Sequence, residues 1–314
     1  MITATASTMS TITVPTTSSA GTSTIMFEPL EFEFFVRGLI AASLVGGLCG
    51  LLGVYIVLRR MSYIGHGLSH AVFGGAVVSY IISINFYVGA SLWGFLAALL
   101  INSMTKARTY IGADAAIGVV TTASFAIGIA LISRYRTFTR SFDAALFGNI
   151  LGISNQDLYA IIAVTIAAFV LIMLLYRRLL FTTFDPEVAP YYGVSTAWVD
   201  AFFSLILAGA IVVSMRVMGV TLIAASIVIP PITARLLTSD FARFMALSVI
   251  IGALCGFFGM YISYFVDVSS GANIVLTMAA LFVVVFLWSS LRGSSAMNRS
   301  PASSGRRIDE PLLD

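Results

Sequence analysis

The chain has 314 residues, of which 59% are hydrophobic and only 10% are charged, and its net charge is +3. An average soluble domain carries roughly 25% charged residues, so this composition excludes a soluble globular protein and predicts an integral membrane protein. So small a net charge also gives no reason to expect nucleic-acid binding.

Residues 1–26 are rich in Ser and Thr and lack a periodic apolar pattern, which predicts a disordered tail. Residues 27–292 are predicted to form one membrane domain, and the polar residues 293–314 to form a flexible tail. A bilayer core about 30 Å thick requires about 20 mainly apolar residues per helical span. The central domain offers such segments at residues 34–58, 66–86, 88–104, 115–133, 157–176, 200–215, 219–236, 244–265 and 272–291. We therefore predict an all-α, polytopic transmembrane helical bundle with about eight to ten spans.

The arginines between these segments predict the orientation of the helices, because short cytoplasmic loops contain an excess of Lys and Arg. Four clusters and the basic C-terminal tail can lie together on the cytoplasmic side, which leaves the N-terminus outside: Arg59 with Arg60, Lys106 with Arg108, Arg177 with Arg178, and Arg235 with Arg243. A fifth group, Arg134, Arg136 and Arg140, then falls on the outer face. These three arginines either receive acidic residues of an external partner or lie in a solvated loop.

The two histidines of the chain, His66 and His70, occur together at the start of the second apolar segment. A spacing of four residues puts both imidazoles on one face of a helix. Imidazole binds zinc, copper, iron and nickel, and ionisable residues inside membrane spans often mark a transport pathway. The pair is therefore a candidate metal site, and the alternative is that each histidine bonds a nearby carbonyl between helices.

Asp114 opens the fourth apolar segment and is a further candidate metal ligand. An acidic residue near a helix N-terminus also interacts favourably with the helix dipole, which is the alternative role for Asp114. The HExxH pattern of metalloproteases is absent, because Gly67 follows His66. Since the sequence shows no catalytic base, hydrolysis is disfavoured.

The sequence also lacks the GxxxxGK[ST] motif of nucleotide-binding loops, and Lys106 is its one lysine. If transport is driven by ATP, a separate subunit must hydrolyse it. A secondary transporter that cycles protons on the histidines is the rival hypothesis. Such folds usually contain inverted repeats, and we find no convincing internal repeat in the sequence.

Six sequence blocks resemble the membrane permease subunits of ABC importers for zinc, manganese and iron(II). The first block contains the histidine pair, and the family stretch that it matches usually reads R-R-x-x-x-x-G-D-x-x-S-H-A. The blocks follow the family order across residues 32–290: Arg59–Ala71, Asp114–Gly118, Leu146–Leu151, Phe184–Ala189, Met218–Leu237 and Ser263–Ala272.

The resemblance implies a homodimeric permease in the cytoplasmic (inner) membrane, with a fold that looks like a reduced relative of the cobalamin-importer permease. It also implies two cytoplasmic ATPase subunits, an external metal-binding protein and a transported divalent ion, with no covalently bound cofactor. The segment from Ala234 to Phe244 matches the short cytoplasmic helix that docks on the ATPase in such importers. We expect a bend at the preceding prolines and a short surface helix whose coupling residues are Ala234, Arg235, Leu236, Leu237, Asp240 and Phe241.

The chain departs from the family pattern at His66, where relatives usually have aspartate. The resemblance places His66 and His70 in the metal path, so the first ligand here is a nitrogen instead of a carboxylate oxygen. Oxygen ligands suit manganese, whereas a second imidazole favours zinc. The sequence thus predicts the import of zinc or manganese and favours zinc.

Overall fold

The computed structural model describes residues 28–107, 113–135 and 146–297 of the chain. Within these ranges the regular structure is helical, which confirms the predicted all-α bundle. Nine long helices form in the described part of the chain: α1 (Glu33–Leu58), α2 (Ser62–Ile81), α3 (Phe86–Ala107), α4 (Ala113–Tyr135), α5 (Asn155–Phe184), α6 (Thr196–Met218), α7 (Val220–Leu237), α8 (Phe241–Val266) and α9 (Ser270–Met297). Short 3-10 turns at Glu28–Glu31, Ile150–Gly152 and Ala189–Tyr192 connect or precede them.

Eight of these nine helices are long and apolar enough to cross a membrane, which agrees with the predicted eight to ten spans. The exception among the described helices is α2, whose first turns contain both histidines and therefore lower its hydropathy. Helix α9 continues to Met297, five residues beyond the predicted end of the membrane domain at residue 292. The predicted tail at residues 1–26, and the part of the predicted tail 293–314 that follows Met297, lie outside the described residues, and the domain boundaries remain predictions.

The contacts between helix ends show that the helices run alternately up and down. The end of α1 lies beside the end of α5 and the start of α6, since Arg59 donates hydrogen bonds to Thr182 and Asp200. At the opposite end, Arg37 near the start of α1 donates to Asn155 at the start of α5 over 3.0 Å. We call the end with Arg59 the inner end and the end with Arg37 the outer end. In the predicted topology, the inner end is cytoplasmic.

Helix α1 is buried through most of its length and forms the centre of the bundle. It crosses α8 at facing glycines, and a Cβ atom on Gly46 would lie 2.2 Å from the carbonyl oxygen of Gly252. One turn further, the Ser248 hydroxyl donates to the carbonyl of Gly50 over 2.7 Å. Small residues therefore let the two backbones approach closely, as helix association within lipid requires.

Helix α7 continues through Pro230 and Pro231 to Leu237, so the prolines do not end the helix, and the predicted bend there stays a prediction. Proline at position 231 supplies no N–H for the carbonyl of Ile227, and α1 lies directly against that carbonyl. A Cβ atom on Gly53 would be only 1.9 Å from the Ile227 oxygen. Packing by a neighbouring helix thus accommodates the prolines inside a membrane helix.

The segment from Ala234 to Phe244 accordingly does not form a separate surface helix, which corrects the prediction. It consists of the last turn of α7, a three-residue turn and the first turn of α8. Asp240 ends the turn, because its side chain accepts a hydrogen bond from the Arg243 amide over 2.9 Å and caps α8. The turn lies at the inner end of the bundle.

Candidate metal site

Helix α2 brings the two histidines into ring contact on one face, as their spacing predicts. The centroids of His66 and His70 lie 4.6 Å apart, with the rings at 78° to each other. The His70 ring also packs edge-on against Phe125 of α4 at 4.9 Å, and the Tyr63 ring lies 5.7 Å from His66. Both imidazoles are partly buried.

One imidazole nitrogen of the pair is buried without a partner. Nδ1 of His70 has no hydrogen bond to any described group. An unpaired buried polar atom costs about 1–3 kcal/mol, and a free imidazole nitrogen can bind a proton or a metal ion. This nitrogen therefore does not make the hydrogen bond to a carbonyl that the alternative prediction requires.

Helix α4 lies close beside the pair. Gly67, which lies between the two histidines in the sequence, has no side chain to keep α4 away. A Cβ atom on Gly67 would lie 2.3 Å from the Ile117 side chain and 2.8 Å from that of Thr121. One face of α4, formed by Ile117, Thr121 and Phe125, therefore adjoins the histidines. This face is mainly apolar and has one hydroxyl, so the pair faces few competing polar groups.

Asp114 is exposed in the first turn of α4, the position at which an acidic residue stabilises a helix dipole. Among the described residues, no three His, Cys, Asp or Glu side chains form a group that could hold a metal ion. The structure therefore brings His66 and His70 together without a third such residue, and Asp114 as a ligand remains a prediction.

The predicted coupling residues have distinct surroundings at the inner end. Ala234 is buried, and the Arg235 guanidinium lies 5.6 Å above the Phe244 ring. Leu236 is half-buried, whereas Leu237 is exposed. Phe241, the first residue of α8, packs among aromatic rings of α1 and α5.

The predicted docking arginines are described only in part. Arg134 is exposed at the outer end of α4, where its guanidinium lies 5.9 Å from the ring of Tyr135. Arg136 and Arg140 lie outside the described residues. Docking of a binding protein at this group remains a prediction.

A polar cluster at the outer end was not predicted from the sequence. The Tyr87 hydroxyl donates to Asp157, which also forms a capping box with Ser154 at the start of α5. Arg216, in the last turn of α6, lies 3.9 Å from the Asp157 carboxylate and 4.5 Å above the Phe86 ring. The Ser-x-x-Asp spacing in the sequence indicates the helix cap. No short sequence pattern indicates that Asp157 also contacts Tyr87 of α3 and Arg216 of α6.

An apolar helical bundle in which one helix holds an imidazole with an unpaired buried nitrogen defines the class: a multi-pass membrane transport protein. Comparison with known families gives the particular one. The chain belongs to the ABC 3 transport family, whose model matches residues 31–289. It is a membrane permease subunit of an ABC transporter, and ATP hydrolysis belongs to a separate subunit.

Individual relatives and solved structures agree with this assignment. The manganese import system permease protein ScaB of Streptococcus parasanguinis is 37% identical over 82% of this chain and 91% of its own. In the solved structure of PsaBC from Streptococcus pneumoniae in complex with Fab, one chain is 34% identical, with a TM-score of 0.77 over 84% of this chain and 95% of that one. A further solved ABC transporter in an inward-facing conformation shares the fold at 14% identity, with a TM-score of 0.66 over 80% of this chain and 85% of its own.

Proposed function

We propose that this permease imports a divalent transition-metal ion across the cytoplasmic (inner) membrane, driven by two cytoplasmic ATPase subunits. An external binding protein delivers the ion, and two copies of the permease surround the path. The observation that supports this proposal best is the pair of histidines in ring contact, with a buried unpaired nitrogen, in a chain of this family.

We propose manganese as the ion, because the ScaB relative is named for manganese import. Zinc is the second candidate, and the histidine pair favours it. Two imidazoles are softer ligands than the carboxylates and carbonyls that manganese prefers. The residue at position 66 is therefore the one to vary in a test of the ion, since relatives usually have an aspartate there.

The incomplete coordination of the pair fits a site that releases its ion. A tight zinc site supplies four protein ligands, whereas the described part of this chain offers two adjacent imidazoles. Conduction requires binding that is favourable enough to admit the ion and weak enough to let it leave. In the proposed mechanism, ATP-driven movement of the segment from Ala234 to Phe244 turns the path from the outer to the inner side.

The test is uptake of radioactive manganese and zinc by cells that express the complete importer. Loss of a ligand should reduce uptake at least about tenfold, because even residues that only support a metal ligand cost about 10–100-fold. We expect this reduction for His66→Ala and His70→Ala, with normal amounts of protein in the membrane. Tyr63→Phe is the matched control, because its ring adjoins His66 without being a predicted ligand.

The result also identifies the ion and the ligands. If both histidine variants lose the uptake of one metal, that metal is the substrate. Normal transport of both metals by both variants would contradict the ligand assignment, and the ion site would then be sought near Asp114. His66→Asp supplies the residue that the family usually has, and we expect it to raise the uptake of manganese relative to that of zinc.

A proton-driven secondary transporter remains the rival from another class. It would need no ATPase and would depend on the proton gradient across the membrane. Uptake that stops on ATP depletion and persists with an uncoupler supports the proposed function, and the reverse pattern supports the rival.

A further inference from the structure

One aromatic side chain of the predicted ATPase-docking segment contacts two other helices at the inner end. Phe241 follows the turn at residues 238–240, and its ring lies 6.1 Å from that of Tyr55 on α1. The same ring lies 5.9 Å from that of Tyr176 and 6.1 Å from that of Phe184, both on α5. Phe241 therefore sits between α1 and α5, so a displacement of the turn presses on both helices.

Tyr55 is connected in turn to Arg59, at the end of α1, through the ring of Phe203. The Tyr55 ring lies 6.0 Å from Phe203, and the Arg59 guanidinium lies 5.1 Å above the same Phe203 ring. Arg59 in turn donates to Thr183 and Thr182 of α5 and to Asp200 of α6. The inner ends of α1, α5 and α6 are thus joined to Phe241 by one continuous set of contacts.

The connection from α1 to the histidine helix is short and closed by backbone hydrogen bonds. The amides of residues 59, 60 and 61 donate to the carbonyls of Tyr55, Val57 and Ile56, and α2 begins at the next residue. His66 lies in the second turn of α2. Just before it, Gly65 packs against the Ile227 side chain of α7. Because this connection is so short, we expect a movement of the last turn of α1 to displace the start of α2 and with it His66.

The ring and the hydroxyl of Tyr55 can be tested separately, because only the ring makes the contacts described above. Tyr55 is fully buried, and its hydroxyl has no hydrogen-bond partner among the described groups. The contacts described above belong to the ring. Removal of the hydroxyl alone should therefore leave the connection intact.

We propose that Phe241 and Tyr55 are positioning residues that transmit movement of the docking segment to the histidine pair. This proposal rests on the proposed function, since it presumes that an ATPase moves this segment. Neither side chain needs to touch the ion. Their rings determine how much metal is transported for each ATP hydrolysed.

The test uses the assembled transporter, permease with its ATPase subunit, in proteoliposomes, with uptake of manganese and zinc ions and ATP hydrolysis measured on the same sample. Side chains between coupled sites alter coupling by factors of about 2 to 30. We expect Tyr55→Leu and Phe241→Leu each to lower the metal transported per ATP about fivefold. Tyr55→Phe keeps the ring and should retain the wild-type ratio. Trp198→Leu, at an exposed ring on α6 at the inner end, is the matched control.

A double variant tests whether the two rings act on one path. If they do, Tyr55→Leu combined with Phe241→Leu lowers the ratio no further than the more severe single variant. Additive effects, equal losses in Tyr55→Phe and Tyr55→Leu, or a normal ratio in both leucine variants would overturn the proposal. If the leucine variants do not assemble, Phe184→Leu decides, because this exposed ring at the edge of the cluster tolerates truncation and should lower the ratio about twofold.

Failure of this inference is distinguishable from failure of the proposed function. A wild-type transporter without ATP-dependent uptake of either ion overturns the function itself. A wild-type transporter with such uptake, whose Tyr55→Leu variant keeps the normal ratio, overturns only the transmission through the rings.

Discussion

Arg59 joins three helix ends through a geometry that a lysine does not reproduce. Its three guanidinium nitrogens donate separately to Thr183, Asp200 and Thr182 over 2.8–3.1 Å. An ammonium group lacks the planar fork, so Arg59→Lys leaves at least one acceptor without its donor. We expect a loss of about 1–2 kcal/mol in stability, measured as a lower unfolding temperature of the detergent-purified protein.

Arg177 provides the control for this substitution. It is an exposed arginine at the inner end, in the last turns of α5. Arg177→Lys should change the free energy of unfolding by less than about 0.5 kcal/mol, as surface substitutions usually do. Equal losses in the two variants would contradict a specific role for the Arg59 guanidinium.

Single residues also show where the sequence sufficed for prediction and where it did not. His66 and His70 are four apart, so helical periodicity alone predicts their contact. Arg59 and Asp200 are 141 positions apart, and their ion pair depends on how α1 and α6 pack. No pattern in one sequence encodes such a pair. The same reason explains why the cluster at Asp157 was missed.

The close approach of α1 and α8 predicts opposite effects at two adjacent glycines. A Cβ atom on Gly46 would lie 2.2 Å from a backbone oxygen, whereas one on Gly47 would make an ordinary contact of 3.6 Å with Ala253. Gly46→Ala therefore forces the helices apart, at a cost of about 3 kcal/mol. Gly47→Ala should be neutral or stabilise by up to about 1 kcal/mol, because alanine favours the helix.

Thermal unfolding of the two purified variants checks this prediction, with the amount of protein in the membrane as a second measurement. Gly252→Ala is the reciprocal test, since its Cβ would lie 2.1 Å from the carbonyl oxygen of Gly46. Equal stability of Gly46→Ala and Gly47→Ala would show that the helices are not in close contact at this crossing.

At the scale of elements, each predicted apolar segment corresponds to a helix, but the ends differ in an informative way. The predicted segment 157–176 stops before Arg177 and Arg178, whereas α5 runs on to Phe184. Hydropathy detects the part of a helix that lies in lipid, and a helix continues beyond it for as long as its backbone bonds are satisfied. The prolines of α7 are the converse case, in which a local helix-breaking signal is overridden by packing against Gly53.

The orientation of the whole molecule can be tested at two exposed serines on opposite ends of the bundle. Ser239 lies in the turn between α7 and α8 at the inner end. Ser269 precedes α9 at the outer end, near Tyr264, whose ring lies 5.4 Å from Phe35 at the start of α1. Because the arginine-rich loops should be cytoplasmic, we expect a membrane-impermeant maleimide to label Ser269→Cys in intact cells.

Ser239→Cys should react with the same reagent only after the membrane is opened. The unmodified chain is the control, since its cysteines, Cys49 and Cys255, are only 2% and 3% exposed and should not react. Labelling of Ser239→Cys in intact cells, with Ser269→Cys protected, would invert the topology. Arg134 would then face the cytoplasm and the segment from Ala234 to Phe244 the outside, and both the proposed ATPase docking and the transmission through Phe241 would fail together.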